Sequence, residues 1–526
     1  MHENARSRRE VLIHGGVCAA TTWAGGTLAE TPAAFAASEW DFLTARELAT
    51  ALRARRISAS ELLQQTVARV EAIDRRINAV VVRDFERARE AANAADIALA
   101  RGDEGALLGV PMTVKESFNV AGLPTTWGYA QFKNFKPQQD ALVVSRLKKA
   151  GAVIFGKTNV PLALGDWQSY NAVYGTTNNP WDISRTPGGS SGGSAAALAA
   201  GMGALSLGSD MGGSLRAPAH YCGVCAHKPS LGLVPARGQT PPDERPLPYD
   251  NGLAVVGPMA RSAADLTLAL EVVAGPDEEQ AGVGYRLALP APRHADLRSF
   301  RVLLLDAHPL GPTANEMKDA LARLAGRLTK AGVKLARDAP ELPNPTQTAR
   351  LYMRLLSAVR GETLAARDYA KLQSEARGLS PKDRSLAAER VRGAVISHRD
   401  WAAADRDRAE LRQRWRELFR DWDVVLCPPA PCPAFKHDHS EPIESRRLEI
   451  NGQPYSYLDS QLVWAELATT PGLPATVVPL DRSASGLPIG VQIIGPYLED
   501  RTTITFAALL EREYGGFAPP YKIKMT

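Results

Sequence analysis

At 526 residues, with 45% hydrophobic and 23% charged residues, the chain has the makeup of an average globular protein and is neither collagen-like nor disordered throughout. Lys plus Arg number 62 against 57 Asp plus Glu, a net charge of +5 with no basic stripe, which argues against a nucleic-acid binder. No run of about 18 strongly apolar residues occurs, so no helical membrane span is expected. The 43 Gly and 37 Pro exceed the usual share, and their clusters mark where the backbone turns tightly or approaches something closely.

Residues 1–37 read as an address. Arg8-Arg9 precedes a mildly apolar stretch from Val11 to Leu28, and Ala34-Phe35-Ala36 offers a small-residue cleavage site after Ala36. This pattern predicts a twin-arginine export signal and a periplasmic or secreted mature chain. A cytoplasmic chain with a disordered tail is the alternative. Export permits disulfides, so Cys222, Cys225, Cys427 and Cys432 are open to three readings: buried thiols, a disulfide, or a metal or redox pair at Cys222-x-x-Cys225. The first is favoured, because no thioredoxin-type helix start accompanies Cys222 and the Pro-rich 427–433 segment is no metal knuckle.

The remainder, 38–526, is expected to form one domain. Ser58-Ala59-Ser60-Glu61 has capping-box spacing, and Leu63, Val67, Val70, Ile73 and Ile77 follow at helical intervals, so a helix is predicted over 59–78. A second helix is predicted over about 83–101. A buried strand over 108–114 ends at Lys115, a helix covers 142–150, and 152–155 is a strand. Between 186 and 214 come a Gly-rich loop, an Ala-rich helix, a short strand and a second Gly loop. Further strands are expected at 301–305, near Val333, and at 424–426, 475–478 and 489–494, with helices over 314–331 and most of 345–420. Strands alternating with helices argue for an α/β fold, with a large mixed sheet covered on both faces.

Gly151 to Thr158 spells the phosphate-loop pattern G-x-x-x-x-G-K-T. A phosphate cradle needs a flexible loop between its glycines, whereas Ala152-Val153-Ile154-Phe155 is strand sequence and Pro161 opposes a following helix. The match is read as a strand.

Two Gly-flanked serines, Ser190 and Ser214, lie 24 residues apart. The first sits in Gly188-Gly189-Ser190-Ser191-Gly192-Gly193 and the second in Asp210-Met211-Gly212-Gly213-Ser214-Leu215-Arg216. Glycines beside Ser214 free consecutive main-chain N–H groups to hold a developing oxyanion, where each donor is worth about 3–4 kcal/mol. By composition alone, ordinary turns or a non-catalytic anion loop fit equally well. A serine becomes a strong nucleophile only when something takes its proton. No His lies in either loop, and the nearest, His220, is six residues past Ser214. A lysine can serve if burial keeps it neutral; lowering its pKa from ~10.4 to ~7.5 corresponds to about 4 kcal/mol.

The whole pattern resembles the amidase signature family. Gly189 to Gly193 and Asp210 to Pro218 fit that family's hallmark stretch, and Gly109 to Glu116 looks like its lysine strand. Gly156 to Pro161, Thr177 to Trp181, Gly472 to Ala475 and Gly486 to Gln492 add to the match. The likeness spans most of 40–515, with 276–430 the least diagnostic. Cys225 and His227 depart from the smaller or apolar residues of many relatives. The resemblance implies a single α/β/α domain and a Ser–Ser–Lys triad: Ser214 as nucleophile, Ser190 as the bridging serine on a cis peptide bond, and Lys115 as base. It further implies main-chain donors at Met211, Gly212, Gly213 and Ser214, bracing by Asp210 and Arg216 with support from Ser191, and neither cofactor nor metal. The partner is a small-molecule amide; a homodimer is left open. Glu116, next along the strand, is expected to face away from Lys115.

The expected reaction is amide hydrolysis to acid plus amine or ammonia through a serine acyl-enzyme, with esters also cleaved. Rival readings are a non-catalytic binding protein on the same scaffold and an amidotransferase-type glutaminase subunit. A metal-dependent hydrolase built on His437-x-His439 is weaker, having no third ligand. Trp127, Tyr129, Trp167 and Trp464 hint at aryl or bulky acyl amides, and 433–457 is read as a cover over the pocket.

Overall fold

The capping box forms as read. Ser58 accepts the Glu61 N–H, Glu61 accepts the Ser58 N–H in return, and the helix Ala59–Ile77 buries Leu62, Leu63, Val67, Val70, Ile73 and Ile77. This computed structural model describes residues 38–520, apart from 282 and 284. The export signal expected over 1–37 lies outside the described residues. Among them, no helix is long and apolar enough to cross a membrane.

The organising element is an eleven-stranded mixed sheet. In chain order its strands are β1 (Val80–Arg83), β2 (Pro111–Lys115), β3 (Val153–Thr158), β4 (Leu205–Asp210), β5 (Cys225–Lys228), β6 (Val255–Ala260), β7 (Arg301–Leu304), β8 (Lys334–Ala336), β9 (Val424–Cys427), β10 (Ala475–Arg482) and β11 (Pro488–Ile494). Across the sheet they run β1-β3-β2-β4-β6-β5-β10-β11-β9-β7-β8. β2 lies between β3 and β4 and is parallel to both. Every residue of β2 to β6, β9 and β11 is buried. Alternate strand residues point to opposite faces, so burial at every position means that both faces are covered, as the α/β reading requires.

Three strands of this sheet were not expected, at Val80–Arg83, Cys225–Lys228 and Val255–Ala260. The last contains Gly257-Pro258, which reads as a turn, and Cys225–Lys228 holds a His and a Lys; burial on both faces overrides both local signals. The P-loop look-alike is strand β3. Its Gly156 pairs with Arg83 of β1, and Lys157 Nζ is engaged by the Pro124 carbonyl and, at 2.8 Å, by Thr125 Oγ1. The 345–420 region consists of four helices, Pro345–Gly361, Ala366–Gly378, Leu386–Ala394 and His398–Asp421.

Cys222, Cys225, Cys427 and Cys432 are all free and buried. Burial pushes their thiols up, Cys427 and Cys432 to about 12, so the reactive thiolate is scarce. The native chain is therefore expected to show these four thiols unreactive towards DTNB at pH 8 and fully reactive in denaturant; rapid labelling without denaturant would contradict the packing.

Candidate active site

Parallel neighbours bring the C-terminal ends of β2, β3 and β4 side by side: Lys115 opposite Thr158, with Ser209 and Asp210 at the end of β4. Open α/β sheets place their sites at strand ends of this kind. The loop before Ser190 and the loop after Asp210 both open there. Between them runs the helix Gly192–Ala199, all buried, packed against β2, β3 and β4. Gly193 needs to be glycine, because a Cβ there would collide with the main chain of Asn159.

Lys115 is completely buried. Its Nζ donates to Ser190 Oγ at 2.7 Å and to Ser209 Oγ at 2.9 Å, and it makes no carboxylate ion pair among the described residues. Lost hydration lowers its pKa from 10.5 to about 7, against a weaker opposing attraction from Asp210. That displacement corresponds to about 5 kcal/mol in favour of the amine. The peptide bond joining Gly189 and Ser190 is cis. Glu116 turns the other way, accepting the N–H groups of Thr126 (2.5 Å) and Trp127 (3.0 Å).

Asp210 and Arg216 tie down the 211–215 loop. The carboxylate accepts the Gly213 and Leu215 N–H groups at 2.9 and 3.0 Å and takes Arg216 side-on through Nε (3.0 Å) and Nη2 (2.8 Å). Arg216 commits its remaining three donors to Ala465 O, Gln492 Oε1 and Thr469 Oγ1, so all five are satisfied although the side chain is fully buried. Burial alone would raise the Asp210 pKa; the Arg216 guanidinium and the main-chain N–H groups more than offset it, holding the acid at about 2.

The loop's carbonyls are pulled outward one by one. Met211 O accepts from Tyr352 OH (2.8 Å), Gly212 O from Trp167 Nε1 (2.8 Å) and Gly213 O from the Ala217 N–H (2.8 Å). In a trans peptide the N–H of the next residue points opposite to the carbonyl. The N–H groups of Gly212 and Ser214 are thereby turned away from these partners, and neither donates to any described residue. Gly213 differs from the expectation: its N–H is held by Asp210, so it braces the loop instead of facing a ligand. Its φ of 93° is the reason that a glycine is required there. Met211, Gly212 and Ser214 are partly exposed between buried neighbours, so solvent reaches this loop on one side only. Ser191 fastens the two loops together, its N–H donating to Ser214 O at 3.1 Å.

Ser209 and Tyr352 were missed in the sequence. Ser209 had a signal, a hydroxyl beside Asp210 at the end of a buried strand; Tyr352 had none, being 141 residues from the carbonyl that it holds. Trp167 supports the loop, while Trp464 is fully buried. Trp127 donates its indole N–H to Ser117 O. His220 is a core residue accepting the Gly490 N–H at 2.8 Å, and burial lowers its pKa to about 4. His437 meets Asn178 Oδ1 and His439 stacks on Tyr170. Segment 433–457 is pinned to 166–170: Gln168 and Asp438 exchange two hydrogen bonds, and buried Arg446 pairs with Asp166 at 2.6 Å.

The Amidase family model matches residues 61–504. The chain belongs to the amidase signature family. Among curated relatives it is 34% identical over 500 residues to a glutamyl-tRNA(Gln) amidotransferase subunit of Anaeromyxobacter sp. (strain K), covering 90% of this chain and 97% of that one. It is 33% identical over 486 residues to the indoleacetamide hydrolase of Bradyrhizobium diazoefficiens, covering 90% and 87%. A crystal structure of an amidase superposes with a TM-score of 0.71 at 29% identity, covering 90% of this chain and all of that one. As an amidase signature enzyme, the chain is an amide C–N hydrolase or an amidotransferase.

Replacing Arg216 with Met would leave Asp210 buried without its counter-charge, a change that costs about 3–5 kcal/mol. Urea denaturation of this variant should show a loss of that size; a loss below about 1 kcal/mol would mean that the pair does not brace the loop.

Proposed function

We propose that this amidase signature chain cleaves carboxamide C–N bonds through an acyl-enzyme on Ser214, with Lys115 as base and Ser190 as relay. The observation that carries the reading is a buried amine, 2.7 Å from the hydroxyl of Ser190, whose pKa of about 7 leaves a large neutral fraction at ordinary pH. In that form the nitrogen lone pair accepts the Ser190 proton while an N–H still donates to Ser209. Ser190 takes the proton of Ser214, which attacks the amide carbonyl. The N–H groups of Gly212 and Ser214 stabilise the oxyanion, Met211 lining the same face. The proton returns through Ser190 to the leaving nitrogen, and water then releases the acid.

The identity with an amidotransferase subunit favours a second reading, in which the same site hydrolyses a glutamine carboxamide and passes ammonia to a partner protein. Export, supported by Arg8-Arg9 and the Ala34-to-Ala36 site, would separate the chain from such a partner. Glutamine hydrolysis that rises on adding the other amidotransferase subunits with charged tRNA selects the second reading; turnover of simple amides by the chain alone, with a mature N-terminus at Ala37, selects the first.

Ser214→Ala should abolish turnover and labelling by a fluorophosphonate probe, and Lys115→Ala should lower kcat by about 10²–10⁴-fold. Near-wild-type rates in either variant would refute the assignment. Because the base must be neutral, kcat/KM should rise with pH through an apparent pKa near 7 and level off above it. An acid limb near pH ~4 would instead point to a carboxylate base.

A further inference from the structure

Three carbonyls of the 211–215 loop are held from outside, and each hold also fixes the N–H across the same peptide. Trp167 holds Gly212 O, and the matching N–H, that of Gly213, donates to Asp210 at 2.9 Å. The Ala217 N–H holds Gly213 O, and the matching N–H is that of Ser214. Tyr352 OH holds Met211 O at 2.8 Å, and the matching N–H is that of Gly212. Among the described residues, Tyr352 is the one side chain acting on a loop peptide whose N–H is left for a ligand.

The contact is close. A Cβ on Gly212 would stand 3.4 Å from the Tyr352 hydroxyl, so residue 212 lies directly against it. Tyr352 is 1% exposed, and among the described residues its hydroxyl makes only this hydrogen bond. Its oxygen is committed to the carbonyl and is not offered to a substrate. Burial pushes the phenol far above its ordinary pKa, so the proton stays on oxygen at every working pH. The ring is carried by the helix Pro345–Gly361, where Ala349, Met353 and Leu356 are buried with it in one core. A hydrogen bond to the carbonyl side of a peptide draws electron density across it and makes the N–H a stronger donor. Such linked bonds reinforce one another where the local dielectric is low.

We propose that Tyr352 is a positioning residue of this site: by holding the Met211–Gly212 peptide it aims and strengthens the Gly212 N–H as an anion donor. The inference rests on the amide-cleaving reading of Ser214 and adds to it a support from outside both serine loops.

Tyr352→Phe removes the hydroxyl and keeps the ring. On an anilide that the wild type cleaves, kcat and kcat/KM should fall together about 5- to 30-fold, with KM unchanged. Loss of a direct oxyanion donor is larger, about 10²–10³-fold in kcat. Benzeneboronic acid, whose adduct with Ser214 sets a negative boronate oxygen in place of the oxyanion, should bind more weakly by a similar factor. The apparent pKa near 7 of the kcat/KM profile should stay where it is. A purely structural role would raise KM, move that pKa or spare the boronate affinity, and any of these overturns the proposal. So does a wild-type kcat.

A second readout does not depend on turnover. Met-Gly occurs at Met202-Gly203 and Met211-Gly212 alone, so ¹³C at the Met carbonyl and ¹⁵N in Gly isolate two amide signals. In Tyr352→Phe the Gly212 nitrogen should move upfield while that of Gly203 stays in place. If no amide is cleaved and Ser214 resists the fluorophosphonate, the amide-cleaving reading falls. The labelled pair then decides the Tyr352 link separately, and an unmoved Gly212 overturns it. If the Phe chain does not fold, monofluorotyrosine incorporated at position 352 takes its place. Its more acidic hydroxyl should move Gly212 downfield, and an unchanged signal overturns the proposal.

Discussion

A fully buried lysine amine, with two hydroxyls at its head and no carboxylate paired with it among the described residues, is the constraint around which this molecule is arranged. An ammonium in that position forfeits hydration that serine hydroxyls do not replace, so the equilibrium shifts towards the amine. The surrounding strands supply the dryness. β2 runs parallel between β3 and β4, with every residue buried, and ends at Lys115 where the two serine loops open. A carboxylate at ion-pair distance would restore the charged form. The acidic residue next in the chain, Glu116, instead turns to the main chain of Thr126 and Trp127.

The charge kept away from Lys115 is used elsewhere. Asp210 and Arg216 form a buried pair with every guanidinium donor satisfied, and the same carboxylate gathers the N–H groups of Gly213 and Leu215. Removing one partner of such a pair is far more damaging than its net contribution suggests, because the other is left uncompensated in a low-dielectric site. The loop is held from three further sides, by Tyr352, Trp167 and the helix beginning at Arg216, each acting on a carbonyl. Main-chain polarity at 212 and 214 is thus set by groups that touch the opposite side of each peptide. Pre-set dipoles of this kind need no reorganisation when charge develops.

The likeness to both a hydrolase and an amidotransferase subunit fits this division of labour. In the proposed reaction, the Lys115 amine, the Ser190 and Ser214 hydroxyls and the braced loop handle the amide bond itself.

Local chemistry in the chain determined much on its own. The capping box at Ser58, the strand character of Gly151 to Thr158, the α/β alternation and the two Gly-flanked serines all follow from short-range rules. Each depends on residues within one turn or one strand. Hidden from that view were β5 and β6, where Lys228 and Pro258 argue locally against a strand, and the supports at Tyr352 and Trp167. Also hidden was the direction of the Gly213 N–H, which depends on whether Asp210 reaches it. Tertiary structure alone decided these, because burial, the pKa of an amine and the aim of a peptide dipole are set by groups brought together from distant parts of the chain.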